Sequence, residues 1–529
     1  MNLSKKISGL TVLAPLLFAI SFVLAVYLAN VGEVTLKLLP IPLAVAAVFA
    51  GLTTMIFCLS LRNRVKGAIF ASIFTVLFFS YGSAQYLLAE WNTPSFLAIL
   101  KNDYSLLPAW LAIMAISFFL IQRSSNLLGL AKFMLAASFF SVLIPLPLIA
   151  TYEIQRIENG MEGARSLPKA NPADLKNMPD IYYLLPDSYS LPSVIKKYFG
   201  YNDDWFVADL QKKGFYVPTY NTSNYPKTFL SLASTLNIEY LDFFSKYKKS
   251  SDQTITTALI QNSAVMRFLQ SLGYRYYQLG SWWDPTNFNP NADGNFIIEN
   301  EHMANIGEFN GAIVKSTMLQ PIASKLLAKV SIGVSDDDKR ARVLYQFDEL
   351  PKMAKLTGPK FVFAHILAPH EPYVFGPNCE LIGAADLSGK TDEQNYDAQV
   401  SCINKKLESA VDSILVNYPE GKQKPIILIQ SDEGAPFLRY RTTPTDSWGK
   451  ASDDLLRQKF PVFSAYYLPG KPDAPLYPTI SDVNAFREIF NAYFGTNLTI
   501  LPDKNYIFPD TKDLYDFTDI TSIVSAGNK

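Results

Sequence analysis

Apolar residues are spread unevenly along this chain. Between Gly9 and about Ala150 they gather into five long runs, at roughly residues 9–30, 36–61, 67–88, 104–122 and 127–150. Each run approaches the ~20 residues that a helix needs to cross ~30 Å of hydrocarbon. The charges they carry, Lys37 and Lys132, lie near span ends, where a long side chain can reach the polar boundary. A helix buried in a soluble bundle keeps a polar stripe, and these runs have none. The pattern therefore predicts a bundle of five transmembrane helices over residues 1–153. A cleaved leader would end after one short run.

Positive residues fix the orientation of that bundle. Lys5 and Lys6 precede the first run, Arg62, Arg64 and Lys66 fall in the second connector, and Arg123 falls in the fourth. Positive connectors mark the cytoplasmic side, so the N-terminus is expected there. An odd number of spans then places everything after about Ile154 on the far side of the cytoplasmic membrane. The spans lack mid-membrane charges of the kind that mark a translocation path, which argues against a transporter.

Beyond the fifth run the period changes. Residues 154–178 are polar and broken by Pro168 and Pro172, as in a linker. From residue 179 to 529, short apolar stretches alternate with helical ones: DIYYLLPD, SVIKKYFG, GFYVPTYN, a helix over about 228–236, NSAVMRFLQSLG, YRYYQLG, PKFVFAHIL and IILIQ. Strands separated by helices predict an α/β class, an α/β/α domain with a mostly parallel central sheet. Ligands of such sheets gather outside the carboxyl ends of the strands. Asp187, His370, Asp432 and Glu433 all follow predicted strands at that end. Clustered carboxylates repel one another unless a cation compensates them, and a metal ion does so economically.

A hydroxyl completes the set. In SNYPKTFLSLAS, Pro226 stops the helix from extending backward, which leaves Thr228 near a helix N-terminus where unpaired N–H groups favour anions. A hydroxyl activated by a metal there can attack phosphorus or sulfur, although a threonine at that place can also simply cap the helix. Ser223 and Ser231 are weaker nucleophile candidates. Tyr182, Tyr183, Trp282 and Trp283 add aromatic surface that can stack on a sugar or fill a core. Lys227 and Arg457 are candidate phosphate clamps or solvated surface charges.

Overall charge adds little. Among 529 residues, 47 Lys+Arg balance 47 Asp+Glu, so nothing points to a nucleic-acid partner. Of three cysteines, Cys58 lies in the second span, while Cys379 and Cys402 lie in the exported part, where they can pair or remain separate thiols.

Taken in order, Asp187 after a strand, the YPKT turn, FVFAHILAPHEPYVF, SDEG, FPVFSAYYLPG and SDVNAFREIFNAYFG resemble the sulfatase branch of the alkaline phosphatase superfamily. The layout of five helices and an exported domain resembles lipoteichoic acid synthases and phosphoethanolamine transferases. The resemblance implies that Asp187, Thr228 and Asp432 are metal ligands, that Thr228 is also the nucleophile, and that His370 contacts the transferred group or assists its leaving group. His365 reads instead as a packed, hydrogen-bonded core residue. Two positions depart from the pattern: Ser188 stands where glycine is frequent after the first-strand Asp, and Glu433 stands where histidine is usual. A glutamate ligand makes an all-oxygen set for one divalent ion, and so favours manganese, magnesium or calcium over zinc. A formylglycine sulfatase needs a C/S-x-P-x-R string, which this chain lacks, since SLPSV at 190–194 and SLPKA at 166–170 have no arginine. The expected activity is a metal-dependent phosphotransferase or phosphohydrolase acting on a lipid head group or envelope glycan, with membrane lipids as partners. The alternative is a degenerate site retained for glycan binding or scaffolding.

Overall fold

A computed structural model describes residues 9–90, 98–160, 167–171, 178–298, 307–321, 336–435, 447–471 and 473–528. Lys5, Lys6 and Pro172, used above for topology and linker, lie outside the described residues. The chain divides into two compact units. One comprises Met1–Asn159 with Asn300–Ser335, the other Gly160–Glu299 with Asp336–Lys529.

In the first unit, five helical stretches among the described residues are long and apolar enough to cross a membrane: Thr11–Ala29, Leu36–Ser60, Arg64–Leu88, Asp103–Arg123 and Leu128–Ile154. Large apolar side chains point outward from them, including Ile41, Val45, Leu59 and Phe133, as expected of helices whose solvent is hydrocarbon. Inside, Ala19, Val23, Tyr27, Ala46, Ala50 and Phe79 pack together.

This unit also takes in a segment that no long apolar run announces. The helix Gly307–Lys315 buries Phe309 and Ile313 against the cluster around Tyr27. After it, the Gly82 N–H donates to the Ser316 carbonyl at 2.9 Å and the Met318 N–H donates to the Phe78 carbonyl at 2.9 Å. An unbroken α-helix pairs the Gly82 N–H with Phe78. Here the incoming backbone takes both groups, so its own polar atoms are satisfied beside the span. Only glycine permits the approach, because a Cβ at position 82 would lie 2.3 Å from the Lys315 carbonyl oxygen.

The second unit is built on a six-stranded sheet. Its strands are β1 (Ile181–Pro186), β2 (Arg275–Leu279), β3 (Gly294–Phe296), β4 (Lys360–Ile366), β5 (Ile426–Gln430) and β6 (Ser464–Tyr467). Their order is β3-β2-β4-β1-β5-β6, parallel throughout except for β6, which runs antiparallel to β5. The central strands are apolar on both faces because both faces are covered. Ile181, Tyr183, Leu185, Phe361, Phe363 and Leu428 enter one core with the helices Thr228–Asn237, Ala264–Ser271 and Asp482–Phe494. Tyr182, Leu184, Val362, Ala364, Ile427 and Ile429 enter the other with Asp336–Met353 and Asp392–Val416. These are the three expected layers. One expected strand is missing: GFYVPTYN makes isolated bridges, such as Tyr216 to Tyr466, rather than a ladder. Cys379 and Cys402 form a disulfide that ties a loop after β4 to the helix Asp392–Val416.

Candidate metal and phosphoryl-transfer site

Register places the site. Leu185 pairs with His365 and Pro186 with Ile366, while Leu184 pairs with Ile429, so β1, β4 and β5 end side by side. The residues just beyond those ends meet. Asp187, Asp432 and Glu433 are all buried. Two groups of potential ligand atoms, each within 4.8 Å of one another, form there: Asp187 with His370 and Glu433, and Asp187 with His365 and Asp432.

Thr228 opens the helix Thr228–Asn237 after Lys227, whose backbone is extended and whose side chain makes no cap. Its hydroxyl is near enough to Asp432 to hold that carboxyl's pKa down against burial. Thr228 thus lies at a helix N-terminus and near the carboxylate that follows β5. Ser223 instead donates to the Phe460 carbonyl at 3.4 Å, and Ser231 is buried within the helix.

Asp187 is held from two sides. Ser188 Oγ donates to its Oδ1 at 2.8 Å, and His365 Nε2 approaches its Oδ2 at 3.1 Å. The other nitrogen of His365 meets Thr286 Oγ1 at 2.8 Å. Burial pushes the Asp187 pKa up, but the charge of His370 together with the hydrogen bonds and charge of His365 brings it down to about 2. Asp432 goes the other way: burial, then the negative charges of Asp187 and Glu433, push its carboxyl well above the usual range, against the Thr228 hydroxyl. His370 is pushed down by burial, while Asp187 and Glu433 pull it up. Its Nδ1 faces the Glu371 carbonyl, which leaves Nε2 as the nitrogen not engaged in that contact.

Glu433 has company that the sequence reading missed. Lys459 Nζ lies 3.0 Å from Glu433 Oε1 and donates to the Gly434 carbonyl at 2.7 Å, with both charged side chains buried. Gly434 allows this approach, because a Cβ there would lie 2.5 Å from the Lys459 carbonyl oxygen. Ser188, at φ 61°, holds a left-handed backbone that glycine adopts more easily, yet its hydroxyl reaches Glu433 Oε1 at 3.2 Å. Asp432 Oδ2 and Glu433 Oε2 are buried and have no hydrogen-bond partner among the described residues. Buried acceptors ordinarily find donors, so a pair of orphans inside a carboxylate cluster fits a cation.

Other expected residues lie elsewhere. Tyr182 and Tyr183 are fully buried in the two cores, so of the two readings open to them it is core packing that holds. Trp283 packs edge-on to His365 at 5.7 Å and Trp282 edge-on to His370 at 6.5 Å, so the tryptophans do border the site. Arg457 is engaged by Asp453 and by the Ile523 carbonyl.

No family model and no curated protein matches the chain in sequence. Solved structures are similar at low identity. The C-terminal periplasmic domain of EcEptC from Escherichia coli is 13% identical, with 69% of this chain and 99% of that one covered and a TM-score of 0.43. The C-terminal periplasmic domain of phosphoethanolamine transferase EptC from Campylobacter jejuni is 11% identical, covering 62% and 97%, with a TM-score of 0.38. The integral membrane protein lipooligosaccharide phosphoethanolamine transferase A from Neisseria meningitidis is 11% identical, covering 92% and 95%, with a TM-score of 0.38. At these values the likenesses carry no conclusion about activity, metal or substrate.

Proposed function

We propose that this chain is a membrane-anchored, metal-dependent phosphotransferase or phosphohydrolase that acts on a lipid head group or envelope glycan through a phosphothreonine at Thr228. The observation that carries the reading is the placement of Thr228, at a helix N-terminus and near Asp432, beside a buried cluster in which two carboxylate oxygens have no donor among the described residues. Asp187, Thr228, Asp432 and Glu433 would hold one divalent ion. With both nitrogens of His365 engaged by Asp187 and Thr286 and His370 assigned to the leaving group, the donor set is oxygen and favours manganese, magnesium or calcium over zinc. Such an ion, when bound, neutralises the carboxylates and makes a nearby hydroxyl easier to ionise.

The chain's own residues then divide the work. Thr228 Oγ1 forms a bond to phosphorus as the bond from phosphorus to the leaving oxygen breaks, and the hydroxyl proton passes to Asp432. The N–H groups of Thr228 and Phe229, which open the helix ahead of those bonded to the Lys227 carbonyl, would face the phosphoryl oxygens. His370 gives a proton to the leaving oxygen. In the second half an acceptor hydroxyl, or water, attacks the phosphothreonine and returns its proton to His370, while Thr228 recovers its own from Asp432. With five apolar helices in the same chain, a lipid donor would share the surface to which the enzyme is confined, and the sheet unit would lie on the extracytoplasmic side.

Trapping tests this directly. The full chain in detergent, incubated with manganese and a phosphoglycerolipid mixture and quenched in acid, is expected to carry a phosphoester mass on the Thr228 peptide. Thr228→Ala should carry none and should lose turnover by at least about a thousandfold. An unmodified peptide together with no lipid turnover would leave the binding or scaffold reading in place.

A further inference from the structure

Glu433 and Ser188, the two positions that depart from the family pattern, touch each other. Ser188 Oγ lies 3.2 Å from Glu433 Oε1, and Lys459 Nζ lies 3.0 Å from the same oxygen. All three residues are buried, and Lys459 is 2% exposed. Buried lysines are rare unless paired, and this one has two partners, Glu433 and the Gly434 carbonyl. It also lies 5.9 Å from the centre of the Trp448 ring, so apolar surface closes it off from water.

We propose that Lys459 is the positioning residue that makes Glu433 a metal ligand. Lys459 engages Oε1, with Ser188 Oγ sharing its one proton between this oxygen and the nearer Asp187 Oδ1, which draws the side chain inward and leaves Oε2 as the oxygen for an ion. Lys459 also sets the charge of the site. Asp187, Asp432 and Glu433 with one ammonium sum to two negative charges when all are ionised, which one divalent ion balances. A histidine in place of Glu433 would need no such partner; a glutamate does, because an unpaired carboxylate buried among two others is unfavourable. The lysine reaches the site from the segment just before β6, whose antiparallel pairing with β5 brings it back to Gly434, and the Gly434 N–H donates to the Lys459 carbonyl at 2.8 Å.

This inference rests on the metal reading of the site, and one titration separates the two. Manganese binding is measured by calorimetry on the full chain, first stripped with EDTA, for the native protein, Lys459→Met, Glu433→Gln and the double variant, with melting in EDTA as the check on folding. Outer partners of metal ligands commonly govern affinity by about 10–100-fold. Lys459→Met and Glu433→Gln are each expected to weaken manganese at least about tenfold, and the double variant no further than Glu433→Gln alone, because the lysine acts through the glutamate. Manganese bound equally or more tightly by folded Lys459→Met would overturn the positioning role and leave the metal site standing. No manganese bound by the native protein would overturn both. Should Lys459→Met fail to fold, Glu433→Gln and the double variant decide alone, since that background has no carboxylate to strand. Equal affinities support the proposal, and a further tenfold loss overturns it.

Discussion

The helical unit and the sheet unit treat their acids in opposite ways. In the helical unit the half-buried Glu153 accepts at Oε1 from Tyr27 and from Arg156 at 2.6 Å, and the half-buried Asp103 accepts at Oδ1 from Tyr81 at 2.8 Å and Gln85 at 3.0 Å. None of its described acids has a buried oxygen without a donor. In the sheet unit Asp203, Asp397, Asp432, Glu433, Asp482 and Glu488 each have a buried oxygen with no donor among the described residues. Four of these fall in no group of ligand atoms, and burial pushes the pKa of each one up, to about 6 for Asp203 and about 7 for Asp397 and Glu488, so they tend to keep a proton. Asp432 and Glu433 differ because they stand in groups with Asp187. A unit meant for hydrocarbon must satisfy its acceptors internally. Where orphaned acceptors cluster, a ligand is the economical explanation.

Four substitutions probe that contrast. Glu153→Ala should have the largest effect: it strands part of the Arg156 charge and the Tyr27 hydroxyl, and melting in detergent should report a loss of about 3 kcal/mol. A loss under about 1 kcal/mol would mean the pair is not tightly held. Next comes pH. The raised Asp203 pKa favours the protonated acid in the folded state, so its contribution is fully present below the unfolded value of 3.8 and is lost as pH rises through about 6. Denaturant titrations should show about 2–3 kcal/mol lost across that window, and Asp203→Asn should flatten the slope. An unchanged slope would assign the dependence to other groups.

Gly82→Leu ranks third. It forces a side chain against the Lys315 carbonyl, an overpacking of about 1–3 kcal/mol, and should expose the Lys315 bond to trypsin. An unchanged digest would show that the segment does not need this approach. Asp432→Asn should have the smallest effect and the opposite sign. It removes one of three crowded carboxylates, so the EDTA-stripped protein should melt slightly higher, by about 1 kcal/mol, while manganese no longer raises the melting temperature. A lower melting point in EDTA would mean that the acid stabilises the fold without metal.

Much of this was legible in the residue pattern. The spans, the four central strands and the gathering of Asp187, His370, Asp432 and Glu433 follow from apolar runs that end in polar residues, because parallel strands share one carboxyl edge; Thr228 came instead from Pro226 and the helix start behind it. What escaped was set by tertiary contacts. His365 lies within an apolar strand and reads as core, which it is, but its Nε2 also holds Asp187. Lys459 has no local mark of a site residue, because an antiparallel pairing returns it to Gly434. Tyr182 and Tyr183 left sugar stacking and core packing both open, because an aromatic on a strand reads alike in either place; burial on both sheet faces makes them core. Residues 307–321 are too short and too mixed to resemble a span, and their partner is a glycine more than two hundred positions earlier.

The central claim is that one divalent ion sits among Asp187, Thr228, Asp432 and Glu433. An anomalous difference map from crystals of the full chain grown with manganese tests it most directly. The account predicts a single peak at about 2.0–2.3 Å from oxygens of all four residues, with Lys459 still on Glu433 Oε1. No peak, or a peak that leaves Glu433 uncoordinated, would contradict it.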